Sequence, residues 1–177
     1  ELKKNMKIIS LIPSATEIIN ALNLSNNLVG ISHECDHPKE VLKLPKLTTS
    51  RIKTKQSSLK IDYEIKEILE QSLSVYEVKS DLLKKLDPDV IITQSQCSVC
   101  AVSLTDVEKC LIKFINKKPL LIDLKPNTFE EVLKDINLVG KKLNKKLESY
   151  SLVKKIKNEI NKIKKKTSKL KKKNVLC

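Results

Sequence analysis

Four short stretches of this chain are apolar at almost every position: Met6–Ile12, Leu28–Ile31, Val90–Thr93 and Pro119–Leu124. A strand with one wet face alternates apolar and polar residues. A strand with successive Val, Ile and Leu must be covered on both faces, which is the mark of a parallel sheet between layers of helix. Helix signals fall between these runs, so the expected fold is α/β, a parallel-sheet Rossmann-like lobe. Aromatic residues make up only 3% of the chain, so Leu, Ile and Val must fill the core.

The helix signals are specific. Ser14 with Glu17 three residues on has capping-box spacing, and Ile18, Ile19 and Leu22 give the helix that follows an apolar face. Leu47–Thr49 reads as a third strand. Ser57 or Ser58 caps a helix over Leu59–Gln71, and Val75–Val78 is a brief extended piece. Ser80–Leu86 is a helix stopped by Asp87-Pro88. Thr105 with Glu108 opens a helix to Ile115, and Thr128 with Glu131 opens another to Leu143. Beyond it, Leu143, Leu147, Tyr150, Val153, Ile156, Ile160, Ile163 and Leu170 recur mostly at three- and four-residue steps. That spacing predicts one long amphipathic helix or two in a row, with a coiled coil as the alternative. The expected organisation is an α/β lobe over residues 6–140 and a lysine-rich helix over 141–173. Residues 174–177 would begin a strand of a second lobe.

Charge follows the same division. The formal net charge is +14, yet the first 140 residues hold 20 basic and 19 acidic residues. Lys141–Lys173 holds 15 lysines against Glu148 and Glu159. Arg51 is the only arginine, and base readout and phosphate forks favour arginine. Specific nucleic-acid binding is therefore not expected. Only two glycines are present, so neither a dinucleotide-binding nor a phosphate-binding glycine loop can be written. No run reaches the roughly 18 apolar residues of a membrane span. Lys3, Lys4 and Lys7 precede the first apolar run as in an export signal, but Pro13, Ser14 and Glu17 interrupt it too early. A cytoplasmic chain and a processed or incomplete one both fit. The five cysteines are odd in number and suit reduced thiols better than a disulfide framework.

In an open α/β sheet, ligands sit beyond the carboxyl ends of the strands. Four segments qualify: Pro13–Glu17, Ser32–Pro38, Thr49–Lys55 and Gln94–Ser103. Both histidines, His33 and His37, fall in the second, and Cys35, Cys97 and Cys100 fall in the second and fourth. Cys97-Ser98-Val99-Cys100 is a CxxC pair, whose thiolates can share a metal that Cys35 and His33 or His37 would complete. Small thiols packing a tight loop explain the same residues without a metal. Cys110 sits in a helix and reads as core. No Ser/His/Asp constellation is evident, and a Cys nucleophile paired with His33 has nothing to favour it.

The motifs themselves resemble a known family. Ile9–Glu17 (ISLIPSATE) is similar to the opening of the Fe/B12 periplasmic-binding domain, the solute-binding proteins whose two lobes are joined by one long helix. Ile31–Pro38 (ISHECDHP) and Thr93–Ser103 (TQSQCSVCAVS) resemble its cobalamin-binding subgroup, and Leu86–Ile92 (LDPDVII) resembles its usual approach to a strand. The resemblance covers Met6 to Cys177, as a first lobe and backbone helix. It implies capture of a corrinoid or other metal chelate between lobes, without catalysis or a required cofactor, and delivery to an ABC transporter permease. Carried onto this chain, the cleft would be lined by Pro13, Ser14, Thr16, His33, Cys35, Asp36, Arg51, Gln94 and Gln96. Glu17 would dock the permease. The family works outside the cytoplasmic membrane, whereas the free thiols suit its interior. The alternative is therefore an intracellular protein that binds a metal or metallocofactor through His33, Cys35, Cys97 and Cys100.

Overall fold

The computed structural model describes residues 5–52, 55–70, 75–95, 107–108 and 118–171. Four strands form one parallel sheet: β1 (Ile8–Ser10), β2 (Leu28–Ile31), β5 (Val90–Gln94) and β6 (Leu120–Leu124), in the order β2-β1-β5-β6. Its register pairs Ile8 with Val90 and Ile9 with Ile91, then Val90 with Leu120 and Ile92 with Ile122. Two further strands, β3 (Thr48–Ser50) and β4 (Tyr76–Val78), pair antiparallel in a separate ribbon. The segment expected as a third strand is therefore shifted by one residue and lies outside the parallel sheet. Tyr76–Val78 is close in sequence to no other strand, and its antiparallel pairing depends on a contact that local pattern does not encode.

Successive residues of β1 point to opposite faces, and both faces are buried. Ile8 joins Val90, Ile92 and Ile122 in a cluster with Ala15, Ile18, Ile19 and Leu22 of helix α1 (Pro13–Ala21). Helix α4 (Phe129–Lys142) closes that cluster with Leu133, Ile136 and Val139. Ile9, Leu11 and Ile91 face the other way, against Leu47, Val78, Val107 and Leu83 of helix α3 (Ser80–Leu86). Each such side chain contributes about 1.5–3 kcal/mol by leaving water, which is why the strands are apolar throughout.

Helix starts follow local chemistry, with one revision. Helix α2 (Ser58–Glu70) is capped by Ser57, whose hydroxyl accepts from the Lys60 amide at 3.4 Å. Thr128 caps α4 in a full capping box: its hydroxyl accepts from the Glu131 amide, and the Glu131 carboxylate accepts from the Thr128 and Asn127 amides. Ser14 does not cap α1. The helix begins two residues earlier, with Pro13 at its first position and Ile12 at the cap position. Proline has φ preset for that position and no N–H to satisfy, so the helix starts on it without a side-chain cap. Thr105, expected to open a helix with Glu108, lies outside the described residues.

The apolar stripe at the carboxyl end is divided between two helices. Leu143 is buried beyond α4, Asn144 turns the chain at φ 55°, and helix α5 runs Lys146–Thr167. Leu152, Val153 and Ile156 pack against the first cluster. The antiparallel helices meet closely where Gly140 faces buried Ser149; a Cβ on Gly140 would collide with that serine. Leu147 is 80% exposed, and every residue from Asn161 to Lys171 is exposed, Ile163 and Leu170 included. The stripe is therefore only partly a packing face: the helix outruns the lobe that covers its first half. Among the described residues no helix is long and apolar enough to cross a membrane.

Candidate functional site at the carboxyl edge of the sheet

Three parallel strands deliver their following segments to the same edge. Past β1, a buried hydrogen-bond chain joins the first two of these segments. Thr16 Oγ1 donates to Ser10 Oγ at 2.9 Å, Ser10 Oγ donates to the Ile12 carbonyl at 2.8 Å, and Cys35 Sγ lies 3.1 Å from Thr16 Oγ1. Thr16 and Cys35 are both buried, so they brace the cleft from behind and present no surface to it. Burial pushes the Cys35 thiol above its ordinary value, opposed by the bond to Thr16. Pro13 is half-buried, while Ser14 and Glu17 are exposed on the first turns of α1.

The segment after β2 is fastened to the β3–β4 ribbon. Thr48 Oγ1 accepts from the His33 amide at 2.9 Å and lies 2.7 Å from His33 Nδ1 and 3.0 Å from Ser32 Oγ. Tyr76 of β4 meets the His33 ring edge-on, with centroids 5.0 Å apart, and its hydroxyl donates to Glu34 Oε1 at 2.6 Å. Lys46 Nζ donates to the Cys35 carbonyl at 2.8 Å. His33 is half-buried and harder to protonate than an ordinary histidine. Desolvation is the main cause, Lys46 and Lys79 add to it, and Glu34 opposes it. Asp36 and His37 are exposed.

Elsewhere along the edge, Gln94 ends β5 half-buried, and Ser95 is tied to β6 through its amide and hydroxyl, both donating to the Asp123 carboxylate. Arg51 follows β3, with its guanidinium 3.9 Å from Glu77. Gln96, Cys97 and Cys100 lie outside the described residues. Of the expected metal ligands, His33 is on the edge and Cys35 is sealed into the core. Among the described residues no group of three or more His, Cys, Asp or Glu is arranged to hold a metal. Thr48 and Tyr76 shape this edge but carry no recognisable motif, and only the pairing of the ribbon with the β2 segment reveals them; Ser10 and Ser32 lie within the quoted motifs but were not singled out.

An open parallel sheet with helices on both faces, and a braced set of polar loops at its carboxyl edge, is the arrangement in which α/β proteins place their ligand sites. A periplasmic binding protein family model matches residues 8–177. The chain belongs to that family, of the iron and B12 type that its motifs resembled. It is 27% identical over 159 residues to the uncharacterized ABC transporter substrate-binding lipoprotein YvrC of Bacillus subtilis, covering 89% of this chain and 40% of that protein. Its fold resembles that of a Staphylococcus epidermidis protein described as a possible iron-binding (periplasmic solute-binding) protein. The TM-score is 0.69 at 24% identity, over 97% of this chain and 55% of the other. The vitamin B12 binding protein BtuF of Vibrio cholerae matches with TM-score 0.63 at 18% identity, over 92% of this chain and 51% of that one. The periplasmic heme-binding protein RhuT from Roseiflexus sp. RS-1 matches with TM-score 0.67 at 18% identity, over 95% and 52%. The chain thus spans about half the length of these solved structures, and less of the curated relative.

Proposed function

We propose that this chain forms one wall of a solute-binding site for a corrinoid or related metal chelate, in a protein that hands its ligand to an ABC importer. The observation that carries this reading is the convergence of the Pro13–Glu17, Ser32–His37 and Gln94–Ser95 segments on one sheet edge in a chain of this family. Thr16 is tied to Cys35, Ser32–Glu34 to the ribbon and Ser95 to β6, so the wall is preorganised and little ordering entropy is spent on binding. Exposed Ser14, Asp36 and Arg51 and half-buried Pro13, His33 and Gln94 are the contact residues in this reading. Glu17, exposed on α1, is the docking contact for a permease. In this reading the chain binds and hands on its ligand without transforming it.

The test is a titration of the reduced full-length protein with cyanocobalamin and with hemin, alongside metal analysis of the protein as purified. Saturable binding by a metal-free protein supports the reading. No binding, together with near-stoichiometric metal that disappears in the C97S/C100S variant, overturns it in favour of a Cys/His metal site. The E17K variant is expected to bind ligand as before and to lose importer-dependent uptake.

A further inference from the structure

The hydrogen-bond count around Thr48 fixes more than the position of its neighbours. A threonine hydroxyl has one proton and two acceptor positions. One of those positions is taken by the His33 amide, which can only donate. The remaining proton and acceptor position must be shared between His33 Nδ1 and Ser32 Oγ. Ser32 Oγ also accepts from the Glu34 amide at 3.3 Å. In one arrangement, Ser32 donates to Thr48 and Thr48 donates to a bare Nδ1, and every proton has an acceptor. In the reverse, Nδ1–H donates to Thr48 and Thr48 donates to Ser32. Both acceptor positions of Ser32 are then filled, and its own proton is stranded. Ser32 is 3% exposed and has no further acceptor among the described residues. A buried donor left without a partner shifts such an equilibrium by roughly ten- to a hundredfold.

The first arrangement therefore holds, and it leaves the ring proton on Nε2. That nitrogen has no hydrogen-bond partner among the described residues, and it is not one of the buried side-chain atoms lacking a partner. Its direction is set by the bond at Nδ1 on one side and the edge-on Tyr76 ring on the other, with Tyr76 itself held by Glu34. To bind a metal through Nε2, the proton would have to move to Nδ1, which inverts the chain and strands the Ser32 proton.

We propose that Thr48 is a positioning residue that holds His33 as its Nε2–H tautomer, so that the site offers the ligand a hydrogen-bond donor rather than a metal-binding lone pair. The ligand class follows. It carries an acceptor on its periphery, a carboxylate, phosphate or amide carbonyl, that meets His33 from the cleft. This rests on the solute-binding reading above for the identity of the cleft, though the tautomer itself does not.

The experiment is ¹⁵N-histidine NMR on the full-length, ligand-free protein at neutral pH, with the H33Q variant assigning the His33 signals. The expected result is a protonated Nε2 and a bare Nδ1. The T48S variant should retain that tautomer, and so should S32A, in which the buried Thr48 proton has only Nδ1 left to accept it; T48V should lose the preference, which loss of packing alone would not do. Cyanocobalamin serves as the ligand probe: T48V and H33F should weaken it roughly two- to tenfold, the range of one hydrogen bond, while T48S stays within about twofold. A proton on Nδ1 in the wild type overturns the proposal, as does a stoichiometric shift of Nε2 on adding Zn²⁺. An Nε2–H tautomer with unchanged cyanocobalamin affinity in H33F overturns the donor role. A protein that binds neither cyanocobalamin nor hemin in any variant overturns the solute reading instead, and the NMR result alone then decides the tautomer.

Discussion

Single residues carry the difference between what the motifs suggest and what the fold does with them. Cys35 sits in a histidine-rich, acidic loop, and its neighbours made it a ligand candidate. The structure turns its thiol inward to Thr16, at 1% exposure. A raised thiol pKa means less thiolate at neutral pH, and the thiolate is the reactive form. Cys35 is therefore expected to resist iodoacetamide in the native protein and to react at an ordinary rate once it is unfolded, as read by peptide mass mapping. Comparable native and denatured rates at Cys35 would place its thiol at the surface. His33 was legible from sequence as a residue of the sheet's carboxyl edge because histidine is rare here and falls just past a strand. Thr48 and Tyr76 were not. Their roles arise from pairing across 15 and 42 residues of sequence with Ser32–Glu34, and no local pattern encodes that contact.

At the scale of elements, sequence reading succeeds where the signal is local and fails where two signals compete. The capping box at Thr128 and Glu131 was legible because both partners lie within one turn. At Ser14 the same spacing misled, since the preceding proline claims the start of the helix. The Thr128 cap is expected to be worth about 1 kcal/mol, so T128A should lower stability by that amount in urea unfolding. The Glu131 carboxyl is held below its ordinary range, chiefly by the Asn127 amide and also by that of Thr128. Its contribution is therefore present above the usual glutamate range and lost as pH falls through its folded-state value. The stability difference between wild type and E131Q should accordingly shrink in acid. The meeting of α4 and α5 gives a second prediction. G140A improves helix propensity but drives a methyl into Ser149 and to 2.9 Å from the Lys145 carbonyl. The clash should win, costing about 1–3 kcal/mol by chemical denaturation, and S149G in the same chain should recover part of it.

Across the whole molecule, the sheet separates two cores, and the parallel α/β plan was readable because both faces of each strand are apolar. Both segments of the ribbon were readable as extended, but their antiparallel pairing was not, since three-residue strands carry too little pattern to announce a partner. Most of α5 was legible as a helix, yet the fate of its apolar stripe was not, because burial depends on how far the lobe extends beneath it. The ribbon has one more consequence. A pair of three-residue strands has few hydrogen bonds of its own and leans on the lobe at one end through Leu47 and Val78, whereas β1 and β5 are locked between helices. In hydrogen exchange, the ribbon amides bonded across β3 and β4 should exchange through local opening. Those of Ile9 and Ile91 should wait for global unfolding. Equal protection in the two sets would show that they open as one unit. Because the ribbon holds the hydroxyl that anchors His33, the proposed binding wall would join a slow-breathing base to a faster-breathing rim. A ligand that touches His33 should therefore slow exchange in the ribbon while leaving the central strands unchanged.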